Sequence, residues 1–396
     1  MKKRGWIAAG LAAIFAATLA GTAGAGSSGQ AALQAVDCDG TIKIPLITPL
    51  TGGGGPIGNE QLSWARYAAK SLQSKYRLNI QIVGGDTPVE KGPGEAIKVS
   101  QKFIADQQVA AVLGPATSGG VASASKALTK AGLVHISPSA TDTALAAGPK
   151  AKRTATPSFF RVVGGDYVQG PTDARYMIQK LKAKKVVVVD FQEPYSVGLA
   201  RAANNTLKAA KVQTVRLSTS VNTTDFSSLV TRVPSDAQVV FFPTQQPEDA
   251  QTFGQQLLEQ GKRAKMFGGD GTNNPSAFKL AGSYVSNFAP DISGVPGNAA
   301  RIAGWKKDNP KASLGSFGPP TYLATEVLMS AIRKACNAGN GTIANRNAVL
   351  KYVRSTVIPR SILGGTFRFA KVNNEPVNPK FYIFQIQKNG SYKLVG

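Results

Sequence analysis

The chain is expected to fold as an α/β protein of two lobes, each built on a parallel sheet flanked by helices. Short β-branched runs ("GTIKIPLIT", "LNIQIVGGD", "VAAVLGP", "LVHISPS") alternate with Ala-rich amphipathic stretches ("NEQLSWARYAAKSLQ", "GEAIKVSQKFIAD", "SGGVASASKALTKAG"), which is βαβ order. The pattern restarts near "FFRVVGGDYVQGPTDARYMIQKLKAKKVVVVDF", with "KKVVVVDF", "TVRLSTS", "AQVVFFPT" and "AKMFGGD" as a second set of strands. The 396 residues, 42% of them hydrophobic, suffice for two cores.

The N-terminus precedes this pattern and differs from it. Lys2, Lys3 and Arg4 lead into "GWIAAGLAAIFAATLA" and then "GTAGAG", which offers Ala23-x-Ala25 for cleavage. Residues 1–25 therefore read as a secretory signal peptide, too short and too rich in Ala and Gly for a membrane anchor. Residues 26–40 follow as a flexible leader, "AGSSGQAALQ" being its low-complexity part. Cys38 and Cys336 are the only cysteines, and in an exported chain two usually pair. Cys38 follows Asp37, which departs from the small-residue pattern of a lipid-anchored N-terminus. The expected location is extracytoplasmic: the periplasm or the outer cell surface.

The stretch "LITPLTGGGGPIGNEQ" contains Gly53, Gly55 and Gly58 in the spacing G-x-G-x-x-G, which in a nucleotide enzyme lets a strand-to-helix turn approach a pyrophosphate. Export argues against a nicotinamide enzyme, and Pro56 removes an N–H from the cradle. Asp86, after the next strand, is the one feature that favours the nucleotide reading. No cofactor is expected.

Lys and Arg number 46 against 22 Asp and Glu, a net charge of +24, or +21 once Lys2, Lys3 and Arg4 are removed. Such charge attracts anionic surfaces or polymers. The cations are scattered ("KLKAKK", "WKKDNPK") without the aromatic interleaving of RNA-binding modules, so nucleic acid is not an expected partner. Catalysis has little support. His135, the sole histidine, lies in the apolar run "GLVHIS" and reads as a core residue; no G-x-S-x-G elbow and no His/Cys/Asp cluster with metal spacing occurs. The chain is expected not to be an enzyme, a secreted hydrolase being the weaker alternative.

Several stretches in fixed order carry a resemblance: "IPLITPLTGGGGPIGNEQLSWARYA", "AVLGPATSGGVASASKAL", "GLVHISPSATDTAL", "FFRVVGGDYVQGPTDARYM", "EPYSVGLARAANNTLKAA", "TDFSSLV", "MFGGDG" and "SFGPPTYLATEVLMSAI". From about Thr41 to the C-terminus the chain resembles the periplasmic binding proteins of the branched-chain amino acid type, which feed ABC importers. The resemblance implies the type I fold, two Rossmann-like lobes joined by a three-crossover hinge, with residues 41–163 and 290–368 in lobe 1 and 164–289 and 369–396 in lobe 2. It places both cysteines in lobe 1, where they could meet. The glycine-rich turn then lines the cleft. Hinge motion is expected near Val163 to Asp166 and Ser286 to Ile292, with Gly164 and Gly165 supplying permissive dihedrals.

By the same resemblance the ligand's carboxylate is held by Ser118, at a strand-to-helix junction, and by Ser139, Ala140 and Thr141 in "HISPSATDTAL". Helix capping is the plainer reading of Ser118 and of Thr141. The ammonium is met by Asp270, otherwise a turn former, and by Tyr195, otherwise a core or surface ring. Ile57 and Phe317 would meet the ligand's side chain or simply pack the core. The implied function is capture of an amino acid and delivery to an ABC permease by a monomer that touches the membrane only through the permease. The alternatives are a small amide or carboxylate as ligand, and a receptor in place of the permease.

Overall fold

A computed structural model describes residues 35–146 and 156–396. The signal peptide, its cleavage site and the start of the leader lie outside the described residues. The strands are β1 (Ala35–Asp37), β2 (Thr41–Thr48), β3 (Asn79–Asp86), β4 (Val112–Leu113), β5 (His135–Ser137), β6 (Phe159–Arg161), β7 (Lys185–Asp190), β8 (Gln213–Ser218), β9 (Val239–Phe241), β10 (Lys265–Gly268), β11 (Tyr284–Asn287), β12 (Ile343–Asn345), β13 (Val357–Ile358), β14 (Phe367–Arg368), β15 (Tyr382–Ile386) and β16 (Tyr392–Leu394). The helices are α1 (Gly55–Tyr76), α2 (Gly94–Ala105), α3 (Ser118–Lys130), α4 (Asp166–Gln179), α5 (Pro194–Ala209), α6 (Ser227–Thr231), α7 (Pro247–Glu259), α8 (Ala299–Asp308), α9 (Gly318–Ala338) and α10 (Arg346–Arg354).

Two main sheets result. The first runs β3-β2-β4-β5-β6, all parallel; the second runs β16-β15-β11-β10-β9-β7-β8. The expectation of parallel sheets holds for the first and for β7 to β11 of the second, but β15 pairs antiparallel with β11, and β16 antiparallel with β15. A hairpin needs only a tight turn, so the C-terminus extends the sheet without a crossover helix. The chain passes between the sheets after β6, after β11 and after β14.

Each lobe follows from its pattern. The run "VVVV" in β7 is buried on both faces: Val187 and Val189 enter one apolar cluster, Val186 and Val188 another, as a central parallel strand requires. In lobe 1, Trp64 of α1 stacks on Trp305 of α8 with ring centroids 4.6 Å apart, joining segments far apart in the chain. Proline in the first turn starts α1, α5, α7 and α9, where its missing N–H costs nothing.

The end of the leader is not flexible, contrary to expectation. Residues 35–37 pair antiparallel with β12 (Ala35 opposite Asn345), and Cys38 is disulfide-bonded to Cys336 of α9, their Cα atoms 6.0 Å apart. Ladder and crosslink fix the segment together. Gly164 and Gly165, at the first crossing, do not adopt the left-handed region in this conformation. Their role is close approach: a methyl group at Gly164 would lie 2.8 Å from Phe381, and one at Gly165 would collide with the guanidinium of Arg161.

A buried ion pair ties the crossings together. Arg161, at the end of β6, donates from Nε to Glu375 Oε1 at 2.9 Å and also pairs with it through Nη2; both residues are essentially unexposed. The same guanidinium donates through Nη1 to the carbonyls of Ala140 (3.2 Å) and Asp142 (2.9 Å). Tyr167 and Asn373 complete the carboxylate's shell, donating to Glu375 Oε2 from the hydroxyl at 2.7 Å and from Nδ2 at 3.0 Å.

Candidate functional site

The glycine-rich turn is filled by the protein's own carboxylates. Asp86 accepts from the backbone N–H groups of Leu50 (2.7 Å) and Thr51 (3.2 Å) and from the Thr51 hydroxyl (2.6 Å). Glu90 accepts from the Gly53 N–H. Two acids where a pyrophosphate would sit repel phosphate and occupy its donors. The glycines instead permit close packing: a methyl at Gly58 would strike the carbonyl of Pro49, and one at Gly53 would strike Gln246 of the opposite lobe.

In lobe 1 the cap of α3 is Thr117, whose hydroxyl accepts from Gly120 N–H at 3.1 Å. Ser118 is therefore freed from capping. It is fully buried, and its Oγ accepts from the N–H of Asp142 at 3.2 Å. Thr141 is not a cap either, since Asp142 caps the 3₁₀ turn Thr143–Leu145. The Thr141 hydroxyl is buried without a hydrogen bond of normal geometry. Ser139 donates to the carbonyl of Ala116 at 2.8 Å and accepts from Gln61 Nε2 at 2.9 Å; Gln61 in turn accepts from Thr48. Ala140 donates its N–H to Ser137 Oγ at 2.9 Å. Arg161 anchors the same loop through the carbonyls of Ala140 and Asp142.

In lobe 2 Tyr195, in the first turn of α5, donates its hydroxyl to Asp270 Oδ1 at 2.9 Å and accepts from Gly271 N–H at 2.9 Å. Asp270 follows β10, is 2% exposed, and its carboxyl is pushed up to about 6 by burial, against the pull of Gln169 and Tyr195. Among the described residues no ion pair includes it. A buried carboxylate without a cation is an unfilled electrostatic demand.

The two halves face each other. The N–H of Asp166 donates to the carbonyl of Thr141 at 2.8 Å, and a methyl at Gly198, one turn beyond Tyr195, would lie 2.7 Å from Asp166 Oδ2 and 3.2 Å from Asp142 Oδ1. Ser316 of lobe 1 donates to Asn273 Oδ1 of lobe 2 at 3.1 Å. Ile57 and Phe317 belong to the lobe 1 core; Phe317 packs edge-on against Phe288 at 5.4 Å, and its N–H donates to Glu60 at 2.7 Å. A crevice of about 230 Å³ between the lobes is lined by Thr117 and Gly119 on one side and Gln192 to Pro194 on the other, and by none of the expected ligand residues. A cavity of about 750 Å³ on the hinge side, between Val162 and Phe367, contains none of the expected ligand residues.

Three polar residues of α4 escaped the sequence reading: Asp166, Gln169 and Asp173, all fully buried. Burial holds both carboxyls well above the usual range, and the neighbouring Asp270 adds to it. Gln169 donates to Ser286 Oγ at 3.0 Å, and Ser286 donates to Asp173 at 3.0 Å. Their spacing of three and four residues is that of one helix face, a polar stripe that was legible in "DYVQGPTD". His135 is a satisfied core residue: its ring nitrogens meet the Leu133 carbonyl at 3.1 Å and Ser125 Oγ at 2.9 Å, and burial pushes it down to about 4.

Comparison with known proteins agrees with this architecture. A Leu/Ile/Val-binding protein, BraC3, of Rhizobium johnstonii is 29% identical over 75% of this chain and 80% of its own. The crystal structure of a leucine binding protein, LivK, from Thermotoga maritima superposes with a TM-score of 0.79 at 20% identity, covering 90% of this chain and 98% of that one. A solute binding protein of an ABC transporter from R. palustris, in complex with benzoate, superposes at 0.76 with 17% identity, covering 90% and 96%. Residues 41–391 match the model of one family of non-enzymatic, solute-binding proteins, and the chain accordingly belongs to the periplasmic binding protein family.

Proposed function

We propose that this chain is the extracytoplasmic solute-binding component of an ABC importer, and that it captures an amino acid, of the branched-chain type or a related one, between its lobes. The observation that carries the reading is Asp270: a buried carboxylate, hydrogen-bonded by Tyr195 and lacking a cation, near the Asp166 that bonds Thr141. A zwitterion supplies what each side lacks. Its ammonium neutralises Asp270, and its carboxylate takes the Ser118 and Thr141 hydroxyls with the N-terminus of α3 behind them. The relative named for Leu/Ile/Val binding supports the ligand class.

Ligand that bridges the lobes favours the closed form through interactions present only there, and the closed form is what a permease recognises. The deciding experiment is a thermal-shift screen of amino acids, aromatic and aliphatic carboxylates, and small amides on the mature chain. A true ligand at 100 times Kd stabilises by about 2.7 kcal/mol. A shift with benzoate-type acids and none with amino acids would reject the amino-acid reading and leave the solute-binding role intact.

A further inference from the structure

The second lobe is polarised along its strands. Its cleft end carries Glu193, Glu248, Asp249 and Asp270, whereas the opposite pole, where the parallel strands begin, is basic. Lys180, Lys182 and Lys184 lie between α4 and β7, Lys211 between α5 and β8, and Arg263 between α7 and β10, whose first residue is Lys265; all six are exposed. Backbone bonds hold these loops side by side: Gln213 N–H donates to the Lys184 carbonyl at 2.9 Å, and Lys265 N–H to the Gln238 carbonyl at 2.9 Å. The acids towards this end are Asp236, which pairs with Lys185, Glu259 on the last turn of α7, and Asp225, which accepts from Gln256 of the same helix at 2.9 Å. None of the six exposed cations takes part in an ion pair among the described residues. A groove of about 360 Å³ runs between the loops, lined by Leu181, Ser235, Asp236, Gln238, Arg263 and Lys265.

Helix dipoles account for part of this. A cation in or next to a last turn complements the helix C-terminus, which covers Lys180, but the effect falls off within that turn. Lys182, Lys184, Arg263 and Lys265 lie beyond it and repel one another. Such a cluster gains free energy when a polyanion replaces its diffuse counterions.

We propose that this pole is a binding surface for a linear, phosphate-bearing polyanion. Arg263 and Lys265 line the groove, and Lys182 and Lys184 stand on the loop whose Leu181 forms its other side, an arrangement over successive loops that a flexible chain follows and a planar bilayer does not. The groove lining has no aromatic ring to seat in a bilayer interface. Because the pole is the end of lobe 2 remote from Tyr195 and Asp270, polymer and cleft ligand bind together.

The test uses the full mature chain and long-chain inorganic polyphosphate, with fluorescence anisotropy read over a salt series. The wild type is compared with the fourfold variant Lys182→Glu, Lys184→Glu, Arg263→Glu, Lys265→Glu, and with an equal reversal elsewhere: Lys102→Glu, Lys126→Glu, Lys351→Glu, Lys371→Glu. The thermal midpoint and the far-ultraviolet circular dichroism spectrum confirm that each variant is folded. The pole variant is expected to bind at least tenfold more weakly, with the slope of log K against log salt reduced by roughly three, at ~0.7 for each phosphate no longer neutralised. The control is expected to stay within about twofold. Equal weakening in both variants would show bulk charge alone and overturn the proposal. So would tighter binding to phosphatidylglycerol vesicles than to polyphosphate, or no binding by the wild type near 0.1 M salt, at about one Debye length of 10 Å.

Discussion

Replacing Asp270 by asparagine keeps the shape of the side chain and removes its charge, and it separates two effects that the wild type combines. Burial pushes this carboxyl from 3.8 up to about 6, so keeping it ionised at neutral pH costs the fold about 3 kcal/mol. Because the shift is upward, this contribution to stability is fully present below about pH 4 and is lost as pH rises through about 6. The asparagine variant escapes that cost and is expected to resist urea better than wild type at neutral pH when no ligand is added. With ligand the balance reverses. The ammonium loses its partner, a change that typically costs about 3–5 kcal/mol, or roughly a hundredfold or more in affinity. Calorimetry with an amino acid found in the screen and with its des-amino analogue measures the second effect, and urea unfolding at neutral pH measures the first. The analogue is expected to bind the variant better than the wild type. If the variant binds the amino acid as tightly as wild type, or if wild type prefers the analogue, both the residue's role and the ligand class are wrong.

Other consequences are open to direct measurement. Ligand is expected to reduce the radius of gyration by a hinge motion at the crossings, and identical scattering with and without a confirmed tight ligand would remove the closing mechanism. Thiol titration of the unfolded, unreduced mature chain is expected to find no free thiol, and reduction to lower stability by up to about 5 kcal/mol, since the bridge spans 298 residues; two titratable thiols before reduction would reject it. His135 is buried neutral with its pKa down at about 4, so its contribution is complete above 6.5 and is lost as pH falls toward 4, by about 3 kcal/mol. Urea unfolding at pH 7.5 and pH 4.5 is expected to show a smaller acid loss in His135→Gln than in wild type; equal losses would place the acid sensitivity elsewhere.

The repeat of apolar runs and Ala-rich stretches was enough to read the fold, because parallel strands buried on both faces leave an almost continuous apolar signal. β7 is the plain case. The short strands β4 and β5 keep only two and three residues of their runs in the ladder, since the flanking residues turn to build the cleft. Whether Thr117 or Ser118 caps α3 is invisible in sequence, both being good caps; the answer depends on which hydroxyl the backbone turns toward Gly120. Asp86 and Glu90 as fillers of the glycine turn required knowing that β3 runs beside β2, a tertiary fact. Arg161 and Glu375 meet across 214 residues, and nothing in the spacing of either announces the other.

That pair makes the cleft a late product of N-terminus-first synthesis. The carbonyls of Ala140 and Asp142 are held by a guanidinium whose counter-charge arrives only near the end of the chain. Before Glu375 is in place, Arg161 would be a buried, uncompensated cation, so the nascent first lobe keeps this loop unset although every strand of its sheet has already emerged. The same C-terminal segment goes on to add β15 and β16 to the other sheet. A chain cut short before residue 375 keeps every strand of the first sheet but lacks the carboxylate that compensates Arg161, and with it the setting of the Ala140 to Asp142 carbonyls.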